Sequence, residues 1–291
     1  MNATKQQAQE NKTMLVLGGT GKTGRRVAAR LTARNLRVRI GSRSGEPPFD
    51  WDNSAAWPAA LRNVEALYLS YYPDLAAPGA ADRIRTLAEL AVRNGVRRMV
   101  LLSGRGEPEA QRCEQLVRDS GAEWTILRAS WFTQNFSESF LLEPLLAGEV
   151  ALPAGDVREP FVDADDIADV AVAALTEDRH AGQLYELTGP RLWTFAEAVA
   201  EIARVTSRNI RYVRLSIEEY TSALEQAQLP SELVSLITYL FKEVLDGRNA
   251  SIADGIPRAL GRAPRDFSHY VEDTAATGVW NPSAEGTSHS A

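Results

Sequence analysis

Three glycines spaced three residues apart form the clearest chemical motif in the chain. Gly18, Gly21 and Gly24 follow a short apolar run and precede an amphipathic segment, which places G-x-x-G-x-x-G between a strand and a helix. The first glycine permits a tight turn, the second admits a ligand close to the backbone, and the third lets the helix approach the sheet. Helix N-termini attract anions. We therefore expect the diphosphate of a dinucleotide to bind at Gly18, Thr20, Gly21, Lys22, Thr23 and Gly24.

The residues that follow the second apolar run, 36–40, indicate which dinucleotide binds at this turn. NAD-binding chains usually carry an acid about 20 residues beyond the glycines, where it bonds the ribose hydroxyls. Here that stretch is Gly41-Ser42-Arg43-Ser44, and no acid appears before Glu46. Arg43 can bind a 2′-phosphate through two nitrogens, with the neighbouring serines as further donors. The sequence thus predicts NADP(H), with Ser42 and Arg43 as ligands; a solvated loop charge is the alternative for Arg43.

Further candidates follow other apolar runs. Ser70 and Tyr71 come after the run at 64–70 and are expected to contact the cofactor, because ligands of parallel sheets bind at the carboxyl ends of strands. Tyr72 is a candidate proton donor, although a tyrosine beside a cofactor more often packs against it. Ser103 ends the run RMVLLS and is the second candidate catalytic residue.

The helix expected after Ser103 lacks the groups that ketone reduction needs. Short-chain dehydrogenases place a Tyr and a Lys four residues apart there, whereas residues 107–118 read EPEAQRCEQLVR. A general acid typically contributes about 10²–10⁴-fold to the rate. Hydride addition to an iminium or cationic system forms no alkoxide, and a quinone yields a stabilised phenolate. The reduction of such acceptors depends more on holding the acceptor against a bound nicotinamide than on a catalytic tyrosine.

The elements that must position these residues indicate an α/β fold. Short apolar runs alternate with amphipathic segments from Met14 to Arg128, which specifies a parallel sheet with right-handed crossovers. We predict a doubly wound parallel-sheet Rossmann core with a smaller, mostly helical C-terminal substrate cap. The predicted strands are 14–17, 36–40, a very short one at 49–51, 64–70, 98–103, 124–128 and 184–187. The predicted boundaries are disordered ends at 1–13 and 281–291, a core at 14–160 rejoined by 161–190, and a cap at 191–280.

Helix signals dominate the second half of the chain. Thr194-x-x-Glu197 and Ser216-x-x-Glu219 are capping boxes that each open a helix. The helix predicted at 231–246 is apolar over more than one stripe, so it packs between cap and core, covers an apolar substrate, or forms a dimer surface. Three acids, Asp163, Asp165 and Asp166, open the helix predicted at 163–175, where negative charge suits the helix dipole.

Composition excludes several classes of function. The net charge of the 291 residues is −6 and no run of Lys and Arg forms a stripe for phosphates, so no nucleic-acid partner is expected. A lone Cys113, read as a buried helix residue, fits a reducing compartment, and the scattered histidines give no metal site. No apolar run approaches the roughly 18 residues of a membrane span, and no signal peptide precedes the first strand. We expect a cytoplasmic protein without membrane or metal.

Several segments, in their order along the chain, resemble the NmrA-like branch of atypical short-chain dehydrogenases. Within that branch the chain is most similar to bacterial relatives of the fungal ergot-alkaloid reductases of the festuclavine and agroclavine synthase type. The resemblance covers nearly all of residues 14–280. It is carried by GGTGKTG (18–24), GSRS (41–44), PFDW (48–51), RRMVLLS (97–103), WTILRASWFTQNF (124–136), FVDADDIADVAVAAL (161–175) and RALGRAPRDFSHYVEDTAATGVW (258–280).

The resemblance implies an NADPH-binding core with the substrate between core and cap. By matching position, Trp131 and Phe132 would stack on a flat substrate, while Gln134 and Asn135 would hold the carboxamide or a polar substrate group; aromatic packing of cap on core is the alternative. We expect an NADPH-dependent reductase of an electron-poor small molecule, an iminium, quinone or conjugated carbonyl, such as secondary metabolism uses. We expect the substrate to be apolar or aromatic. A homodimer is a further expectation. The alternatives are an NADP(H)-binding redox sensor without turnover and an epimerase, which would need the Tyr/Lys pair.

Overall fold

The computed structural model describes residues 13–282, in which the chain forms ten strands and eleven α-helices. The predicted disordered ends fall outside these residues except at Thr13, Asn281 and Pro282. The strands are Thr13–Leu17 (β1), Arg37–Gly41 (β2), Val64–Leu69 (β3), Arg98–Gly104 (β4), Glu123–Ala129 (β5), Glu149–Leu152 (β6), Arg158–Glu159 (β7), Gln183–Leu187 (β8), Trp193–Thr194 (β9) and Arg211–Arg214 (β10). The helices are Lys22–Ala33 (α1), Trp57–Leu61 (α2), Ala80–Arg93 (α3), Pro108–Arg118 (α4), Leu142–Ala147 (α5), Ala164–Thr176 (α6), Phe195–Thr206 (α7), Ile217–Gln226 (α8), Ser231–Tyr239 (α9), Gly255–Leu260 (α10) and Phe267–Ala276 (α11).

A six-stranded parallel sheet with the order β2-β1-β3-β4-β5-β8 confirms the predicted Rossmann architecture. Every residue of β1 is buried, as expected for a strand with both faces covered. Leu17 pairs with Gly41, and Val16 pairs with Tyr68. The first three strands therefore end side by side, which brings the segments that follow them to one edge of the sheet.

The helices that flank this sheet bury the predicted stripes. On α1 the buried apolar residues are Val27, Ala28 and Leu31, and on α4 Cys113 is fully buried. Gly95, with φ of +87°, follows α3 as the expected helix terminator.

The chain folds as two compact units whose boundaries differ from the predicted ones. Unit 1 contains residues 13–129, 164–188 and 253–263; unit 2 contains 130–163, 189–252 and 264–282. Residues 130–160, predicted in the core, thus belong to unit 2, while 253–263, predicted in the cap, belong to unit 1.

Close packing and ion pairing explain why 253–263 joins unit 1. Gly255 packs so tightly on β8 that a Cβ there would lie 2.1 Å from the carbonyl oxygen of Glu186. Arg262 pairs with the fully buried Asp166 at 2.7 Å and with Asp169 at 2.6 Å. A buried carboxylate is stable only with such a partner, and a sequence pattern does not reveal a partner so distant along the chain.

Two predicted elements differ from those observed. Residues 49–51 form no strand: Phe49 is buried against Trp57, and its N–H donates to the carbonyl oxygen of Ser42 at 2.8 Å. The aromatic content that suggested a strand serves packing within a loop instead. The helix predicted at 231–246 runs as α9 to Tyr239 and then continues as a π-helical turn, Leu240–Val244.

Unit 2 combines helices with two small sheets, β6–β10 parallel and β7–β9 antiparallel. Both predicted capping boxes are confirmed at the starts of α7 and α8. Its core contains an aromatic cluster of four buried rings, Phe136, Phe161, Phe195 and Phe267. Across residues 13–282, none of the helices has the length and hydropathy that crossing a bilayer requires.

Candidate cofactor site

The glycine turn has the geometry that its spacing predicts. Gly18 adopts a φ of +63°, which favours glycine, and its carbonyl oxygen accepts from the N–H of Gly21 at 2.8 Å. A Cβ on Gly24 would lie 2.2 Å from that same oxygen, so only glycine lets α1 start this close to the turn. No side chain of the described residues caps α1, and its first turn contains no acid. The amides at this end of α1 are therefore suited to bind an anion.

The side chains of the turn divide into two groups. Thr20 is exposed and Lys22 is half-buried. Thr23 is buried, and its hydroxyl oxygen accepts from the Tyr68 hydroxyl at 3.0 Å. Thr23 therefore ties α1 to β3 through its side chain.

A closed loop presents Arg43 beyond β2. The carbonyl oxygen of Ser42 accepts from the N–H groups of Gly45 at 3.0 Å and Phe49 at 2.8 Å, which folds the chain back on itself. The hydroxyls of Ser42 and Ser44 lie 3.4 Å apart. Arg43 is exposed, and its guanidinium makes no hydrogen bond or ion pair with residues 13–282. This loop therefore offers one uncommitted cation beside two hydroxyls, a set suited to a phosphate monoester.

Residues after β3 lie beside the turn. A Cβ on Gly18 would sit 3.3 Å from the Cβ of Ser70, so Ser70 lines the turn directly. The Tyr71 hydroxyl accepts from Arg83 at 3.1 Å, and its ring lies 4.6 Å from that of Trp51. Burial raises the pKa of Tyr71. Tyr72, in contrast, is 79% exposed. Tyr71 is thus fixed in place, while Tyr72 extends into solvent.

Ser103 is engaged by a buried ion pair that the sequence did not suggest. Its hydroxyl donates to Glu114 at 2.7 Å, and Glu114 accepts two further bonds from Arg128 at 2.9 and 2.5 Å. Glu114 is only 2% exposed and lies on α4. Because its proton faces a buried carboxylate, Ser103 is poorly placed to donate it elsewhere, which weighs against a role as proton donor.

A second buried acid, Glu107, was also missed by sequence reasoning. It follows β4, is 7% exposed, and has Asp74 as its hydrogen-bond partner. Burial, with the nearby Asp74 and Glu114, raises the pKa of Glu107 to about 9. The only local signal was a glycine, Gly104, at the strand end just before it.

The predicted substrate aromatics belong to unit 2. The half-buried Trp131 ring lies 5.6 Å from Phe195 and 5.2 Å from Phe241. Phe132 is also half-buried, and its backbone bridges to Val162. Both rings therefore keep part of their surface exposed while the backbone around them is held.

The predicted amides behave differently from each other. Gln134 is 2% exposed; its amide nitrogen donates to Asp163 at 3.0 Å, and its oxygen accepts from Thr133 at 2.9 Å. Its polar atoms are thus used inside unit 2, contrary to the expectation that they face a ligand. Asn135 is half-buried, and its side chain makes no hydrogen bond within residues 13–282, so it stays a candidate.

The remaining chemistry-bearing groups are structural. Asp165 pairs with Arg26 at 3.1 Å and Arg30 at 2.6 Å, so this helix-opening acid also ties α6 to α1. Burial raises the pKa of Cys113 to about 12, which makes its thiol unreactive. Residues 13–282 hold no group of three His, Cys, Asp or Glu side chains that could bind a metal ion.

Comparison with known proteins gives the family. Residues 18–178 match a family model described as NAD(P)H-binding. The chain is 32% identical over 283 residues to the (4-alkanoyl-5-oxo-2,5-dihydrofuran-3-yl)methyl phosphate reductase of Streptomyces griseus, covering 90% of this chain and 98% of that protein. It is 30% identical over 291 residues to the agroclavine dehydrogenase of Claviceps fusiformis, covering 92% and 98%.

Solved structures share the fold. The NADPH complex of the quinone oxidoreductase QOR2 from Escherichia coli matches with a TM-score of 0.72 and 22% identity, over 89% of this chain and 99% of that one. NmrA, a negative transcriptional regulator, matches with a TM-score of 0.68 and 17% identity, over 92% and 98%. The matched region begins at the first glycine of the turn, and the chain belongs to this NAD(P)H-binding family.

Proposed function

We propose that this protein is an NADPH-dependent reductase that transfers hydride to an electron-poor small molecule, namely an iminium, a quinone or a conjugated carbonyl. The observation that carries the proposal is the pairing of the closed glycine turn with the uncommitted guanidinium of Arg43 at the same edge of the sheet. The first suits a diphosphate and the second suits a 2′-phosphate, so the pair favours NADPH over NADH.

Each part of the cofactor has a proposed set of contacts. The amides of the turn and of the first residues of α1 bind the diphosphate, with Thr20 and Lys22 as side-chain donors. Ser42 and Arg43 bind the 2′-phosphate. Ser70 borders the turn, and Tyr71, the next residue, is the further cofactor contact that we propose. Bound NADPH supplies the hydride.

The acceptor class follows from the residues that remain. In unit 2, Trp131 and Phe132 offer partly exposed rings for a flat acceptor, and Asn135 offers an unused amide. In unit 1, α4 carries neither Tyr nor Lys, and Ser103 is bonded to Glu114. The exposed Tyr72 keeps its place as a candidate proton donor. Together these features support acceptors whose reduction leaves no strongly basic oxygen.

The names of the relatives agree with this class. They include a reductase of a butenolide phosphate and a dehydrogenase of agroclavine, and the QOR2 structure is that of a quinone oxidoreductase. We infer from them a reductase with a conjugated or iminium acceptor, without assigning any one of their substrates to this chain.

The test is a screen of NADPH consumption over quinones, cyclic imines, cationic dyes and conjugated enones. Absorbance of the reduced nicotinamide is followed, and NADPH affinity is measured separately by calorimetry. We expect turnover with at least one class. Tight NADPH binding with no turnover on any acceptor would reject the reductase and favour a nicotinamide-sensing regulator, the alternative that the likeness to the NmrA fold keeps open.

A further inference from the structure

The turn after β4 packs the carboxyl group of Glu107 against Gly104. Glu107 stands at the N-cap position of α4, yet its side chain makes no cap hydrogen bond. It folds back over the strand end, where a Cβ on Gly104 would lie 1.9 Å from its Oε1. Any residue but glycine at 104 would therefore displace this carboxyl group.

The group that Glu107 meets is a second carboxyl, on the loop after the neighbouring strand. Its hydrogen-bond partner is Asp74, which follows β3. The Asp74 carboxyl is itself oriented, because its Oδ1 accepts from the N–H of Ala76 at 2.7 Å. A hydrogen bond between two carboxyl groups requires a proton on one of them, and Glu107, the more buried of the two, is the group whose pKa is raised.

The charged groups around this pair leave the proton in place. Glu114 of α4 is the other acid that faces Glu107, and it adds negative charge. The groups that shift the pKa of Glu107, beside burial, are the acids Asp74 and Glu114. Arg105, which is buried two residues before Glu107, pairs with Glu186 at 3.2 Å, and Arg128 pairs with Glu114 and Glu186. Glu107 is therefore a buried acid that is hydrogen-bonded to Asp74 and does not form a salt bridge within residues 13–282.

The pair lies near the edge of the sheet where the cofactor is expected to bind. Asp74 and Glu107 lie on the loops that follow β3 and β4, adjacent strands of the parallel sheet. These loops belong to the carboxyl edge, where Ser70 borders the glycine turn. Ligands of such sheets bind at that edge, so a stored proton there is close to where the cofactor is expected.

We propose that the Asp74–Glu107 pair, rather than the solvent-exposed Tyr72, is the proton donor for acceptors that become anions on reduction, an inference that rests on the proposed reductase function. Hydride from NADPH adds to a quinone and leaves a hydroquinone anion. The O–H bond of Glu107 then breaks, its proton passes to the anionic oxygen, and the Glu107 carboxylate regains a proton from water. A cationic acceptor takes the hydride alone, becomes neutral, and draws no proton from the pair.

Two acceptors tested on one variant separate these cases. In Glu107→Gln the amide can still donate to Asp74, but it has no acidic proton. We expect quinone turnover to fall about 100-fold, while reduction of a cationic triarylmethane dye changes by less than about twofold. Glu109→Gln, an exposed acid on the same helix, is the matched control and should reduce both acceptors normally. NADPH affinity and far-UV circular dichroism report whether each variant is folded.

The proton itself is observable without turnover. The infrared difference between wild type and Glu107→Gln at pH 7 should show the carbonyl stretch of a protonated carboxyl, which disappears above a pH of about 9. As a second variant, Asp74→Asn removes a carboxyl group that raises the pKa of Glu107, so it should move the alkaline limit of quinone turnover to lower pH.

The outcomes distinguish the two proposals. Equal losses on both acceptors, no loss on either, or a missing infrared band would overturn the role of the pair while leaving the reductase intact. A wild-type protein that reduces neither acceptor class would instead reject the proposed function, together with the donor role that rests on it.

Discussion

The buried Glu107 should make stability depend on pH in a way that one substitution removes. Its ordinary pKa of 4.5 rises to about 9 in the folded protein, mainly because burial disfavours the charged form. A raised folded pKa means that the stabilising contribution is complete below pH 4.5 and is lost progressively as pH rises toward 9. Wild type should therefore lose stability over this interval relative to Glu107→Gln, whose amide does not titrate.

The size of the effect follows from the pKa interval. Each pH unit between the unfolded pKa and the assay pH costs about 1.4 kcal/mol, so at pH 7 the contribution has fallen by on the order of 3 kcal/mol from its value at pH 4.5. Subtracting the variant from wild type cancels the groups that titrate in both proteins.

Urea denaturation followed by circular dichroism at half-unit steps between pH 5 and 8 measures this difference. Glu109→Gln, which changes an acid of the same helix with 54% side-chain exposure, should show a pH profile parallel to that of wild type. If the stability difference between wild type and Glu107→Gln were the same at every pH, Glu107 would be an ordinary ionised acid and the shared-proton interpretation would be refuted.

Three further outcomes are expected. Arg43→Ala should weaken NADPH binding about 10- to 100-fold more than NADH binding in calorimetry, because only the first has a 2′-phosphate; equal losses would show that Arg43 does not contact it. Gly24→Ala should weaken both coenzymes by at least about tenfold, since its Cβ would lie 2.2 Å from the Gly18 oxygen; unchanged affinities would contradict this turn geometry. Arg128→Met should lower the free energy of unfolding by about 3–5 kcal/mol, because the buried Glu114 would keep only its hydrogen bond from Ser103 and its longer contact with Arg118 at 4.0 Å; a loss below about 1 kcal/mol in urea titrations would argue against the Arg128–Glu114 ion pair.

The sequence alone determined the fold class and the cofactor turn, because both depend on local rules. Alternating apolar runs and amphipathic stretches specify strands and helices. The glycine spacing marks a positive φ at Gly18, which favours glycine, and a close approach at Gly24 that leaves no room for a Cβ. The capping boxes at Thr194 and Ser216 are equally local, since the hydrogen-bonded residues are three apart.

Two predictions that rested on weak local patterns were wrong, a strand at 49–51 and a domain boundary near 160. The aromatic stretch at 49–51 suggested a strand, but Phe49 and Trp51 pack within a loop whose path is set by bonds to the carbonyl of Ser42. The predicted boundary near 160 failed because the chain leaves the main sheet at Ala129, the end of β5, and returns to unit 1 at Ala164.

Only the tertiary structure decided which polar side chains are free and which are occupied. Gln134 and Ser103 had suitable types in suitable places, yet each is committed to a buried carboxylate. Nothing in the sequence was a reason to single out Asp74 and Glu107, yet the fold brings their carboxyl groups together and burial raises the pKa of Glu107. The physical reason is that burial and partnership depend on segments far apart along the chain, and these set the pKa and hydrogen-bonding capacity of a side chain.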